Sequence, residues 1–503
     1  MLKFILFLFA GLLIQGVGHS QGSKLSWGVV WDVDFDGETL INLMDVNVDS
    51  ENNVYVIGFH RGEADFDPGD GVDIHTSIDH MNPYIVKLNS VGEFIWAKTF
   101  GGPGYVSSFS VAVDHEDNPI IVGSFYDITD FDPGDGEFIK EPAGFSDIYV
   151  LKLSSDGDFI FAKTFGGESH DWGNAVDTDE FGNIYMTGEC FSDSVDFDPG
   201  PDEHYIYTSN FVLKMSPAGE FIWCQGSYGL SYGLAVDSDN NVIHSGHINT
   251  IMVDLDPSDA EDYFYGYGES DLYVKKFDTD GNYLWAKMIG GSDYEQNWTV
   301  TADFEGNVLV LGESLSDTID LNPNIGADIV YSYGGRDIFL VKLSPEGEYD
   351  WSYTIGNEYS QSGKSIDCDT EGGVYLAGSY FLSLDFNADL IEEDYRSPVG
   401  SGDAYIMKIS AMGDLEYVKS FGGEEYDFAN AVAVFGADSF YVGGEFRGEA
   451  DLDPGFDTLS FPSGENFLQK FEPCLTNSNT VEIVACDSLE WVNGETYSAS
   501  TTS

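Results

Sequence analysis

Residues 130–134 read Asp-Phe-Asp-Pro-Gly, and the same five letters stand at 65–69 and 196–200. Altered copies begin at Asp254, Asp320, Asp385 and Asp451, so successive copies lie 65, 66, 58, 66, 65 and 66 residues apart. A repeat of that length is one folding unit used seven times, each unit burying its apolar face against its neighbours. Outward from the second copy, a run Ser110–Asp114 (SVAVD) leads through a turn at His115–Asn118 into Ile120–Gly123 (IIVG). The acidic phrase sits in the long loop that follows. Beyond it come Ile148–Leu153 (IYVLKL), a Ser-Asp-Gly turn and Phe159–Phe165 (FIFAKTF). Short apolar-alternating runs bounded by turn residues predict four strands, A to D, and no segment of the unit has helical periodicity over ten residues.

The strands can be counted. A strands end near Asp49, Asp114, Asp179, Asp237, Asp303, Asp369 and Phe435, and B strands at Gly58, Gly123, Gly188, Gly246, Gly312, Gly378 and Gly443. C strands carry Lys87, Lys152, Lys214, Lys276, Lys342, Lys408 and Lys470. Only six D strands follow them, because the last copy stops after strand C. The missing one is at the front, where Leu25–Trp31 (LSWGVVW) has the D pattern ahead of the first A strand. A terminal strand that completes the last unit closes a ring, whereas a linear solenoid would need capping ends. The expectation is an all-β, seven-bladed β-propeller of four-stranded antiparallel blades spanning 21–473.

Lys3 followed by an apolar run to Val17, with Gly18 and Ser20 before Gln21, reads as a signal peptide over 1–20. That predicts a secreted or cell-surface protein with no spanning segment after cleavage. Asp and Glu number 88 against 20 Lys and Arg, a net charge of −68. Such a surface excludes nucleic acid and anionic lipid as partners, and bound cations or salt would relieve its self-repulsion. Five cysteines are too few for a disulfide framework in 503 residues. Cys190, Cys224 and Cys368 read as buried fillers, and Cys474 with Cys486 as a plausible disulfide in an exported protein.

The unit A-V-D-x-x-G-N-V-Y-V-x-G, D-F-D-P-G, D-x-Y-V-x-K-L, G-x-F-x-W-A-K-x-F-G-G resembles the SBBP-type β-propeller repeat of exported bacterial proteins over Leu25 to Phe471. The resemblance implies a secreted or surface protein and names no activity. Copies five and six depart from it, with Asn322 and Asn387 for the second Asp and Ala388 for Pro. The tail from 474 to 503 resembles the start of a small β module that breaks off at Ser503. Proteins of this kind often end in a sorting domain for type IX secretion, and the expectation is that the native chain runs on.

Antiparallel order puts the long B–C and D–A loops on one face and the short A–B and C–D turns on the other. Function concentrates on long loops held by a rigid scaffold. Alternation places Asp65 and Asp67 on one side of an extended segment, and Pro-Gly turns Asp70 back towards them. Asp130, Asp132 and Asp135 repeat the arrangement, as do Asp196, Asp198 and Asp202 more loosely, and Asp254 with Asp256 and Asp451 with Asp453 in part. Two readings stay open: calcium, which takes six to eight oxygens, or turn capping by Asp side chains. Aromatics in the D–A loops (Tyr105, Trp172, Tyr228, Tyr232, Tyr294, Trp298, Tyr359 and Tyr426) either stack on a ligand or pack between blades. The lysines lie on the opposite face, roughly 10 Å from the strand-A aspartates by strand spacing, and predict a structural Lys–Asp lattice.

Catalytic signals are poor. Gly229-Leu-Ser231-Tyr-Gly233 matches a nucleophile elbow by letter but lacks the helix that should follow. His244 and His247 mark blade four as the most divergent. The leading expectation is a non-enzymatic binding scaffold for an extracellular protein or glycan. A carbohydrate-active enzyme using carboxylates on the same face, and a purely structural spacer, are the alternatives. An enzyme would need one site that breaks the sevenfold pattern.

Overall fold

The computed structural model describes residues 23–31 and 39–473, apart from 199, 259, 325, 388–393, 456–458 and 462–465, together with a ribbon at 488–490 and 496–498. Signal-peptide residues 1–20, Cys474 and Cys486 fall outside the described residues. All regular elements are strands, arranged as seven four-stranded antiparallel blades. Blade 2 is typical: A (Val106–Val113), B (Pro119–Phe125), C (Asp147–Leu153) and D (Phe159–Phe165) pair in the order A-B-C-D. Strands B and C are buried at every residue, since both their faces pack against neighbouring blades. Strand A of each blade contacts strand A of the next, blade 7 touching blade 1, so the seven A strands line the axis of a closed ring. Ser23–Trp31 pairs antiparallel with Asn466–Pro473, with Trp27 opposite Lys470 and Trp31 opposite Asn466. This N-terminal strand is the D strand of blade 7, and the ring has no open seam. In blade 7 the register places Gly444, not Gly443, level with the other strand-B glycines, because Phe428 pairs with Glu445 as Asn42 pairs with Phe59.

The acidic phrases form an element of their own. Each B–C loop folds into a two-stranded ribbon, such as Glu63–Asp65 with Ile74–Thr76, and the phrase turns at its tip. The second residue of each phrase is 0–1% exposed: Phe66, Phe131, Phe197, Leu255, Leu321, Phe386 and Leu452. Phe131 lies between Phe100 of blade 1 and Tyr149 of its own blade, 6.0 and 5.0 Å away. The ribbon also pairs with the preceding blade. Gly101 donates to Asp130 O (3.1 Å) and accepts from Asp130 N (2.9 Å). This satisfies an otherwise open D-strand edge. It also explains the Gly-Gly that ends strand D, since a Cβ on Gly102 would lie 1.9 Å from Ile128 O.

Candidate functional site

The short-turn face is consumed by its own chemistry. Each strand-A aspartate organises the A–B turn and receives the lysine two strands away. Asp114 Oδ1 accepts the amides of Glu116 (2.9 Å) and Asn118 (3.0 Å), and Lys152 Nζ sits 2.7 Å from Oδ2. The pairs Lys87–Asp49 (3.0 Å), Lys276–Asp237 (2.7 Å), Lys342–Asp303 (2.9 Å) and Lys408–Asp369 (3.0 Å) repeat it. The ammonium groups thus close on the carboxylates directly, the long side chains spanning the gap that strand spacing leaves. Burial alone would raise the Asp114 carboxyl; the bonds from Lys152 and the backbone outweigh it and hold it below the usual range. Lys214 is the loosest, at 3.8 Å from Asp179, because its Nζ is drawn to Thr279 Oγ1 at 2.6 Å. Lys470, whose blade has Phe435 in place of the aspartate, pairs with Glu472 at 2.9 Å.

These lysines also tie blade to blade. Lys152 donates to Pro217 O, Lys276 to Pro345 O and Lys342 to Ala411 O, each a C–D turn carbonyl of the following blade. Strand-D tryptophans reach the same carbonyls: Trp285 to Pro345 O (2.9 Å), Trp351 to Ala411 O (3.0 Å). Lys470 (2.7 Å) and Trp27 (3.3 Å) both donate to Ser90 O and close the circuit. A buried charge needs this full complement of partners.

On the long-loop face the acidic phrases spend their carboxylates on backbone amides. Asp65 Oδ1 accepts from Asp67 N (3.1 Å) and Asp73 N (2.8 Å), and Asp67 Oδ1 from Gly69 N (2.8 Å). Asp130 with Asp132, Asp196 with Asp198, Asp254 with Asp256 and Asp451 with Asp453 make the same bonds. Asp70, Asp135 and Asp202 stay exposed at the tips. Among the described residues no group of three or more His, Cys, Asp or Glu side chains gathers as metal ligands do.

Around this capped rim stand the D–A loop aromatics. Tyr105, Tyr228, Tyr294, Tyr359 and Tyr426 are 40–58% exposed. Tyr105 stacks on His80 at 4.8 Å, and Tyr426 lies 5.9 Å from Phe381. Trp172 is partly buried against Phe191 at 5.1 Å. Tyr232 and Trp298 are placed by a bulge that every strand A carries at one level, between Ser231 and Gly233 in blade 4 and between Asn297 and Thr299 in blade 5. A bulge re-aims the extra residue, here to the inner end of strand A. Tyr232 stacks on His247 at 5.5 Å, and Lys364 of blade 6 sits 3.5 Å above the Trp298 ring.

Three buried titratable groups near these rings were not singled out as a set by the sequence reading. Glu189, His247 and Glu313 occupy one strand-B position, next to the conserved-register glycines, on blades 3, 4 and 5. Blades 1, 2 and 6 carry Phe59, Ser124 and Ser379 there, and blade 7 carries Glu445, which is only partly buried. Burial pushes Glu189 up to about 7, raises Glu313 and lowers His247 to about 4. Glu313 is met by Arg336 at 3.3 Å. Each follows the glycine that ends its strand B, so their shared level is in the sequence; their burial is what the structure adds. A second missed feature is a set of exposed tyrosines along the outer ribbons of blades 3 to 6, among them Tyr207, Tyr265, Tyr331 and Tyr395.

No family model matches the chain. Over 86% of its length it is 22% identical to an uncharacterized WD repeat-containing protein of Acanthamoeba polyphaga mimivirus, of which the match covers 37%. Over 37% of its length it is 24% identical to the regulatory protein FlaEY of Caulobacter vibrioides, covering 19% of that protein. The chain therefore spans well under half the length of either relative. Among solved structures, the Dos1 propeller aligns with 89% of this chain and 95% of its own at 7% identity and a TM-score of 0.41. BamB from Moraxella catarrhalis aligns with 90% and 99% at 10% identity and a TM-score of 0.36. The propeller assignment rests on the strand pairing above.

Proposed function

We propose that this chain is an exported binding module of the cell surface, of the SBBP type its repeats resemble, whose long-loop face contacts a glycan or an extracellular protein. The observation that carries the reading is the contrast between faces: the lysines and aspartates of one are paired with each other, while the other presents half-exposed aromatic rings on a closed, rigid ring. Aromatic faces stack on sugar rings and anchor protein interfaces. No helix among the described residues is long and apolar enough to cross a membrane. The test is retention of the protein on immobilised polysaccharides and on surface proteins of its own cell. A triple Tyr105→Ala, Tyr359→Ala, Tyr426→Ala variant should lose retention with an unchanged melting temperature; equal retention refutes the reading.

Calcium belongs to the same proposal, as the ion that braces the acidic tips through Asp70, Asp135 and their neighbours. A ligand that binds only the folded state raises its stability with the logarithm of its concentration. Calcium at fixed ionic strength should therefore raise the melting temperature above that in EDTA or matched magnesium, and Asp65→Ala with Asp130→Ala should shrink the rise. A second reading, a carbohydrate-active enzyme, draws on Glu189, a buried carboxyl held near neutrality as a general acid requires. Release of reducing ends from a polysaccharide, abolished by Glu189→Gln, would support it.

A further inference from the structure

The junction between blades 3 and 4 is built differently from the rest. From the strand-C lysine to the aspartate ending the next strand A is 27 residues from Lys152 to Asp179 and from Lys276 to Asp303, but 23 from Lys214 to Asp237. From the acidic phrase to the strand-C lysine is 22 residues from Asp130 to Lys152, but 18 from Asp196 to Lys214. Two loops that meet at this junction are thus each four residues short, which accounts for the 58-residue repeat. Other junctions fill the space with paired side chains that cap the loops. Asp271 accepts the Tyr267 amide (3.0 Å) and Glu295 the Gly291 amide (2.7 Å) at junction 4/5, and Asp403 and Asp427 do the same at junction 6/7. At junction 3/4 the equivalent positions hold Ser209 and Gly229, with Ser209 Oγ bonded to both the amide and the carbonyl of Gly229 at 3.0 Å.

The result is a cavity of about 610 Å³. Its apolar wall includes Tyr228, Leu230, Ile248 and Val253, and its polar edge His247 and Asp254. Gly229 has φ +109°, and a Cβ there would lie 2.8 Å from His247 O, so a larger residue cannot refill the space from that position. Beneath lies a polar layer that contains a buried lysine. Lys275, 1% exposed, stands where the other blades carry Val86, Leu151, Leu213, Val341, Met407 or Gln469. It donates to Ser227, which donates to Asn210, and Asn210 Nδ2 reaches both Gly229 O (3.2 Å) and Tyr273 Oη (3.1 Å). The cavity floor is therefore fixed by a chain of hydrogen bonds.

One side chain in the wall lacks the partner its burial demands. His247 is 5% exposed, and its Nδ1 is buried with no hydrogen-bond partner among the described residues. Nδ1 is fully enclosed, which leaves Nε2 as the nitrogen a ligand can reach. A cavity with an apolar wall and a few polar groups at its edge is the usual form of a small-molecule site, and Nε2 of His247 is one of those groups. The charge is also defined: Asp254 Oδ1 serves the amides of Asp256 (3.1 Å) and Asp262 (2.9 Å), Oδ2 lies outside those bonds, and the whole chain carries −68.

We propose that the cavity between blades 3 and 4 is a binding site for a small cationic ligand with a ring-sized apolar body, an aromatic amine. The ring packs between Tyr228, Leu230 and Ile248, His247 supplies a hydrogen bond, and the ammonium group lies towards Asp254. This does not rest on the rim reading, since the site lies at one junction and the rim aromatics stand at six. The test uses tryptamine and indole-3-acetate as probes of one shape and opposite charge, with binding followed by ligand-observed NMR on the folded chain. Tryptamine should bind, and at least tenfold more tightly than indole-3-acetate. Met252→Trp, at an exposed position on the cavity wall, should weaken tryptamine at least tenfold with an unchanged melting temperature, and His247→Phe should weaken it in the same direction. Tyr359→Ala should leave it unchanged while reducing retention on the rim ligand. Absence of tryptamine binding, equal binding of the two probes, or equal binding to wild type and Met252→Trp would each overturn the proposal.

Discussion

The short-turn face repeats itself seven times with small repairs, whereas on the long-loop face the acidic ribbons repeat but the side chains around them differ from blade to blade. Where an aspartate is missing from the first, in blade 7, Glu472 takes up the lysine. Where a loop shortens on the second, at junction 3/4, nothing is substituted and a cavity opens. The difference shows which face the fold depends on. Lysines no more than 5% exposed must keep a partner for the ammonium group or destabilise the ring. Exposed tyrosines carry no such obligation and are free to vary with a ligand.

Four measurements would break or sharpen that contrast. The largest effect is expected from Lys276→Met, which strands Asp237 in a buried site; a loss of about 3–5 kcal/mol in denaturant unfolding is the expected outcome. Lys214→Met should cost visibly less, because its carboxylate is 3.8 Å away. Equal losses would mean that packing of the stems, not the ion pair, holds this face. Next comes Asp130→Ala on the other face, where Oδ1 serves the amides of Asp132 and Phe138 at 3.1 and 2.8 Å. Leaving those donors unmet should cost about 1–3 kcal/mol.

The third concerns pH. Asp45, Asp177 and Asp367 stand on the axial strands, each accepting an amide of the next blade: Val111, Val236 and Val434. Burial lifts them to about 6, 6 and 7, and Asp367 is raised further by the other two. A carboxyl whose folded value is raised contributes stability that is complete below its unfolded value and is lost as pH rises through the folded one. Stability should therefore increase as pH falls from 7.5 to about 5 by this mechanism. Asp114, held below the usual range, acts in the opposite sense and should withdraw stability only at lower pH. An Asp367→Asn variant should flatten the first slope in a pH series of melting temperatures; an unaltered slope would assign it to relief of surface repulsion instead. The smallest effect is that of Tyr359→Ala, within about 0.5 kcal/mol of wild type. A larger loss would make the rim part of the scaffold.

Much of this was legible in the letters. The spacing of the acidic phrase gave the number of blades, and the stray strand at Leu25–Trp31 gave the closure, because both are one-dimensional patterns. The Lys and Asp marks announced a lattice on one face, and its direct contact followed only once the side chains could be placed. The acidic phrase was ambiguous in sequence, since a carboxylate that caps an amide and one that ligates calcium are spelled alike. Coordinates add that these oxygens already serve amides at 2.7–3.1 Å. Glu189, His247 and Glu313 each follow a strand-B glycine, so their common position was legible, but their burial was not, because it depends on the side chains of the neighbouring blade.

The sequence by itself determined the repeat, the strand pattern and the ring, since period-two hydrophobicity and turn residues act locally and are copied seven times. Only the tertiary structure decided where two short loops meet, which imidazole they leave at the edge of a cavity, and which lysine lies beneath it. Those relations join residues of adjacent blades, and packing across a junction is a property of two repeats together that neither one encodes alone.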